Sequence, residues 1–148
     1  MKVVLDTSAV IHLIERKHAA LVAQLRQATE SPSISVVTLG ELAIGWSSLP
    51  ADSPRRRTYR AAKRLRVVDI VGDNMHQEPN GVIASFGVCR AAGIKGNDAW
   101  IAATAHASAA TLITFDKTLA ERYATVGTST LLQAPSAEAS AHEAVGAS

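Results

Sequence analysis

A single cysteine, Cys89, stands among 148 residues. That excludes an internal disulfide, a zinc knuckle and a CxxC redox pair. Cys89 falls in helical phase with Val82 and Phe86, the pattern of a reduced core thiol, since free cysteine is among the most buried residue types. Only six residues are aromatic, two each of Phe, Trp and Tyr, so platforms for stacking bases are scarce. No apolar run approaches the roughly 20 residues a membrane span needs; the longest uncharged stretch, 99–115, contains His106 and four threonines or serines. The opening MKVVLDTSAV is broken by Asp6 and lacks the small-residue cleavage site of a signal peptide. A soluble, cytoplasmic protein without membrane contact is expected. The five histidines, His12, His18, His76, His106 and His142, show no metal-ligand spacing, and neither a Ser/His/Asp arrangement nor a phosphate-cradling glycine loop is evident.

What is present is the composition of one globular domain: 47% hydrophobic residues, 19% charged, and a formal net charge of +2. Short apolar runs alternate with helical patterns, which predicts βαβ units and an α/β fold built on a parallel sheet. Strands are expected at 2–5, 33–36, 67–71, 111–114 and, weakly, near 125–132. Helices are expected near 8–16 and 18–29, with Leu21, Val22, Leu25 and Ala28 on one face of the second. A further helix opens at Thr38 with Leu39, Leu42, Ala43 and Trp46 on its apolar side. A basic helix ends near Arg66, and others cover 82–92, 98–109 and a short stretch from Asp116. Residues 72–81 read as a loop. The domain is expected over 1–132, followed by a mobile tail, 133–148, that has almost no large apolar residue.

Four acids stand out. In parallel α/β sheets ligands bind beyond the carboxyl ends of the strands. Asp6 directly follows the first strand, and Asp116 lies two residues beyond Thr114 at the end of another. Glu41 and Asp98 fall in the first turns of helices. Each acid alone has a structural explanation. Asp6, Asp98 and Asp116 suit helix N-caps, and Thr38-Leu39-Gly40-Glu41 fits a capping box. Convergence of all four is a different matter. At ~4 Å and an effective dielectric near 20, each like-charged pair costs about 4 kcal/mol, so such a set takes up protons or binds a cation. Oxygen-only ligands select a hard ion, Mg²⁺ or Mn²⁺, which can generate hydroxide and stabilise a displaced phosphate oxygen. Thr7, Ser8 and Thr114 bring hydroxyls to the same edge. Gly45 and Ala102, one turn after Glu41 and Asp98, either leave room above the acids or serve close packing.

The runs Leu5-Asp6-Thr7-Ser8-Ala9, ISVVTLGELAIG around Glu41, NDAWIAATA around Asp98 and LITFD ending at Asp116 resemble, in order and spacing, the PIN-domain nucleases. The nearest subgroup is the VapC toxins of bacterial toxin–antitoxin pairs. The resemblance runs from Met1 to about Leu132. It implies a twisted parallel sheet sandwiched by helices, and a catalytic Mg²⁺ site of Asp6, Glu41, Asp98 and Asp116 supported by Thr114. The metal ligands would be Asp6, Asp98 and Asp116, while Glu41 either binds metal or positions water. It also implies hydrolysis of RNA, commonly tRNA or ribosomal RNA, a homodimer, and a cognate VapB-type antitoxin that blocks the pocket. Many members carry one more acid two residues past the fourth. Here that position is Thr118, which leaves the choice between one and two ions open.

Basicity is local. Residues 55–66, RRRTYRAAKRLR, hold seven of the fifteen basic residues and no acid. On a helix Arg56, Arg60, Lys63 and Arg64 line one stripe, while Tyr59, Ala62 and the stem of Arg66 lean inward. Such a stripe suits RNA phosphates, or an acidic partner, or is merely solvated. Trp46 is expected in the core, or in a groove for a second copy or an antitoxin. Two other functions compete with the nuclease. One is a non-catalytic RNA- or partner-binding module that uses the basic helix. The other is a phosphohydrolase resembling the haloacid dehalogenase group, which wants an Asp where Ser8 stands.

Overall fold

Alternation of strand and helix along the chain produces a five-stranded sheet, and every strand pair in it is parallel. The computed structural model describes residues 1–70 and 81–133. Residues 72–80 of the loop expected at 72–81, with His76, and the tail from Ala134, with His142, lie outside them. In chain order the elements are β1 (Val3–Leu5), α1 (Thr7–Ile14), α2 (Ala19–Arg26), β2 (Ser33–Ser35), α3 (Val36–Ala43), α4 (Pro54–Ala62) and β3 (Arg66–Val68). Then come α5 (Val82–Ala91), α6 (Gly96–Ala107), β4 (Thr111–Thr114), α7 (Lys117–Tyr123) and β5 (Ser129–Leu131). No helix among the described residues is long and apolar enough to cross a membrane.

The strand order is β3-β2-β1-β4-β5. The sheet grows one way from β1 through β2 to β3 and the other way through β4 to β5. The β1–β4 pair is therefore the point where the winding reverses, and a crevice opens beyond its carboxyl end. Leu5 pairs with Ile113 at that end, which places Asp6 and the residues after Thr114 side by side.

Both faces of the sheet are covered, so its central strands are apolar throughout. Val4 and Leu112 face a core with Cys89 of α5, Ile101 and Ala105 of α6, and Leu119 and Tyr123 of α7. Val3, Leu5 and Ile113 face the opposite core, with Ala9 and Val10 of α1, Leu21 of α2, Leu42 of α3 and Ala62 of α4. The pleat turns alternate residues to opposite faces. The expected burial of Cys89 holds: it is fully inaccessible, and burial pushes its thiol up to about 11.

Several boundaries differ from the sequence reading. Helix α3 starts at Val36 with Ser35 as its cap, accepting from the Val37 N–H at 3.1 Å; Thr38 lies inside the helix and is buried. Helix α3 also ends early, at Ala43, because Gly45 takes φ +71° and turns the chain into a single 3₁₀ turn, Trp46–Ser48. Trp46 thus leaves the apolar face of α3 and meets Tyr59 edge-on, under the Arg56 guanidinium. Helix α4 ends at Ala62, so Lys63 is its C-cap and Arg64 lies beyond it. Arg66 is not a helical residue with an inward stem. It opens β3, is exposed, and pairs with Glu30 at 3.3 Å.

Candidate active site

The crevice beyond β1 and β4 is wired by hydroxyl groups. Asp6 is 4% exposed and caps α1, its Oδ1 accepting from the Ala9 N–H at 2.8 Å. The same oxygen accepts from Ser8 Oγ at 2.7 Å. Its other oxygen, Oδ2, accepts from Thr114 Oγ1. Each hydroxyl is itself held by β4's exit: Ser8 Oγ accepts from the Phe115 N–H at 3.1 Å, and Thr114 Oγ1 accepts from the Asp116 N–H at 2.9 Å. The two side chains relay peptide dipoles onto one carboxylate, which fixes its orientation.

Asp116 is exposed and caps α7, with Oδ1 accepting from the Leu119 N–H at 3.1 Å. For Asp6 and Asp116 the capping explanation is correct. For the other two acids it fails. Helix α6 begins at Gly96, and the residue at its cap position, Lys95, makes no side-chain capping bond. Asp98 lies within the first turn and accepts no hydrogen bond among the described residues. Glu41 sits well inside α3 rather than at the fourth position of a capping box. Its Oε1 accepts from Thr7 Oγ1 of α1 at 2.7 Å, and Thr38 Oγ1 stands 3.4 Å from the same hydroxyl.

Electrostatics couples Asp98 to the other three acids. Asp98 is raised above the ordinary carboxylate range, first by burial, then by the charges of Glu41, Asp6 and Asp116. Asp6 is also raised, because burial outweighs the bonds from Thr114, Ser8 and Ala9, and Asp116 adds to it. No cation from the chain pairs with either group among the described residues. As the side chains stand, no three Asp, Glu, His or Cys residues among those described are arranged to close on one ion. The chemistry of the donors nevertheless fits a hard divalent cation: all are carboxylate oxygens, their charges are mutually repulsive, and Asp98 accepts no hydrogen bond among the described residues.

The supporting hydroxyls expected from the sequence, Thr7, Ser8 and Thr114, are all engaged with an acid. The small residues read otherwise. Gly45 serves the turn after α3, and Ala102 is fully buried packing in the core. The basic stripe is partly internal. Arg56 is half-buried and donates to the Leu49 carbonyl at 2.9 Å, and Arg60 donates to the Ala51 carbonyl at 3.1 Å. Lys63 and Arg64 are exposed. A small cleft of about 100 Å³ beside the acids is lined by Asp98, Asp116, Lys95, Thr118 and Arg122. Residues of α4 do not line it. The sequence reading passed over Lys95 and Arg122, although Lys95 stands only three residues before Asp98.

The sequence profile of the PIN domain matches residues 3–124. The chain belongs to the PIN-domain family. No curated protein sequence matches it. Solved structures share the PIN fold at low identity. VapBC2 from Rickettsia felis, bound to a DNA fragment from its promoter, is 20% identical over 90% of this chain and 100% of its own, with a TM-score of 0.67. VapBC-1 from nontypeable Haemophilus influenzae is 22% identical over 88% of this chain and 98% of its own, with a TM-score of 0.64. VapBC-5 from Mycobacterium tuberculosis, from a family of toxin–antitoxin systems, is 21% identical over 90% and 100%, with a TM-score of 0.61. The PIN match spans all four acids, from Asp6 to Asp116.

Proposed function

We propose that this PIN protein is a Mg²⁺-dependent endoribonuclease, the toxin of a VapBC-type toxin–antitoxin pair, acting on structured RNA such as tRNA or ribosomal RNA. One observation carries the reading. Asp98, which is not a helix cap, feels the charges of Glu41, also not a cap, and of Asp6 and Asp116, the two acids that follow β1 and β4 where the winding of the sheet reverses. A fold has no structural need to place four acids so. The likeness to VapBC toxin–antitoxin proteins supports the toxin assignment and a VapB-type antitoxin as partner.

Asp6, Asp98 and Asp116 would hold the ion, which supplies a lowered pKa for bound water and Lewis-acid stabilisation of phosphate oxygens. Thr114 and Ser8 orient the Asp6 carboxylate before any ligand arrives. Glu41 keeps Oε1 on Thr7 and has Oε2 left to accept a proton from a water approaching the phosphorus. Burial of Asp6 and the walls of the crevice lower the local dielectric, which strengthens each of these interactions.

The test uses purified protein freed of antitoxin, total RNA with Mg²⁺ or Mn²⁺, and mapping of new 5′ ends. Discrete cuts that vanish with EDTA and with Asp98→Asn are expected. Equal cutting by parent and Asp98→Asn would sink the carboxylate mechanism. RNA binding without cutting by the parent would favour the non-catalytic module, against which stands the part-buried bond of Arg56 to the Leu49 carbonyl.

A further inference from the structure

Asp98 feels the charges of three further carboxylates, Glu41, Asp6 and Asp116, and an RNA strand adds a charge with every phosphodiester. A divalent ion offsets only two of these negative charges, so holding the strand here requires cations from the chain. The cleft beside the acids contains two of them. Lys95 and Arg122 line it together with Asp98, Asp116 and Thr118. Lys95 is exposed and makes no ion pair among the described residues, although it shares a cleft with two carboxylates. Among the described residues Arg122 is steadied by one side-chain bond, from Nη1 to the Gly93 carbonyl at 2.8 Å, and no described residue takes up the rest of its donor fork. Thr118 adds a hydroxyl to this wall and no further negative charge.

Resting on the ribonuclease reading, we propose that Lys95 and Arg122 clamp a phosphate flanking the cleaved bond, and so set how the RNA strand enters the acidic crevice. Lys95 acts as a point charge, and Arg122 offers planar donors to non-bridging oxygens. Thr118 Oγ1 is a neutral donor to the same phosphate. An acid in its place would draw the two cations to itself.

The experiment follows binding of a short, fluorescein-labelled, mixed-sequence single-stranded RNA by anisotropy across a salt series, with Ca²⁺ replacing Mg²⁺. The proteins are the parent, Lys95→Ala, Arg122→Gln and Lys117→Ala. Lys117 is the control, because it adjoins Asp116 but pairs with Glu121 at 3.7 Å and does not line the cleft. Arg122→Gln keeps an amide donor for the Gly93 carbonyl. Lys95→Ala should weaken binding about tenfold at low salt and reduce the slope of log affinity against log salt by about 0.7, the value for one lost single-strand phosphate contact. Arg122→Gln should act in the same direction, and Lys117→Ala should leave the slope unchanged. Mn²⁺ affinity of Lys95→Ala should equal or exceed that of the parent, which a loss of folding would not produce. A parent that binds no RNA, or equal affinities and slopes for Lys95→Ala and Lys117→Ala, overturns the clamp. Failure of the ribonuclease reading is recognised separately, by cutting that survives Asp98→Asn.

Discussion

Thr114 on β4 donates its hydroxyl proton to Asp6 at the end of β1, joining two residues 108 positions apart. The same oxygen accepts from the Asp116 backbone N–H at 2.9 Å, so one buried side chain orients the Asp6 carboxylate and pins the main chain at Asp116. Its removal should therefore loosen the Asp6 carboxylate and the chain that carries Asp116. Thr114→Val, nearly equal in volume, should destabilise the protein by about 1–3 kcal/mol in urea unfolding through the unpaired groups it leaves. It should also lower Mn²⁺ affinity roughly 10- to 100-fold, as loss of a supporting hydrogen bond does at metal sites. Thr114→Ser should restore both. Unchanged metal affinity in the valine variant would show that the hydroxyl is structural only.

Asp98 offers a prediction in stability and pH. Its carboxyl is raised in the folded state by burial and by Glu41, Asp6 and Asp116. The folded protein therefore holds that proton more tightly than the unfolded chain does. The resulting stability is fully present below the ordinary carboxylate value near 3.9 and is lost as pH rises through the raised folded value. In EDTA at neutral pH, Asp98→Asn should be more stable than the parent, and it should lose part of the stabilisation that the parent gains on mild acidification. Saturating Mn²⁺, at about 100 times its dissociation constant, should stabilise the parent by roughly 2.7 kcal/mol and the variant by much less. Thermal unfolding with and without Mn²⁺ checks both; an Asp98→Asn protein less stable than the parent in EDTA would contradict the mutual repulsion.

Cys89 should be chemically silent. It is buried with its thiol pushed up to about 11, so little thiolate exists near neutrality. Iodoacetamide at pH 8 should leave the folded protein unlabelled and label it once denaturant opens the core, as intact mass would report. Rapid labelling of the native protein would mean that α5 opens readily or that Cys89 is not in the core.

Gly127 should not tolerate a side chain. A Cβ there would lie 2.7 Å from Tyr123 Oη and Cζ, and the ring is buried with its hydroxyl donating to the Ala110 carbonyl at 3.3 Å. Gly127→Ala should cost about 1–3 kcal/mol by overpacking. Paired with Tyr123→Leu, which vacates the contact, the same change should cost less. Equal costs in both backgrounds would show that the loop moves aside.

Much of the site was legible before the fold. Asp6 and Asp116 could be placed because a strand's end is marked by the change from apolar run to polar residue, and the sheet's topology then brings such ends together. The acids inside helices were harder. Thr38 and Glu41 satisfy a capping box by spacing, yet Ser35 is the cap. The stretch Ser35-Val36-Val37-Thr38 is rich in β-branched residues, whose local preference is for strand. Burial of Thr38 and Leu42 against the sheet overrides that preference. The basic segment misled for a related reason. Charge predicts exposure, but Arg56 covers Trp46 and bonds Leu49, contacts that exist only because Gly45 turns the chain back.

By itself the sequence determined the alternation of strand and helix, the burial of Cys89 and the four acids with their hydroxyl companions, since periodicity and residue chemistry are local properties. Only the tertiary structure decided that Glu41 and Asp98 are not caps, that Thr114 ties the Asp6 carboxylate to the main chain at Asp116, and that Lys95 and Arg122 share a cleft with Asp98 and Asp116. Those relations join residues distant in the chain. They arise where parallel strands of one sheet end side by side, and no window of sequence contains that edge.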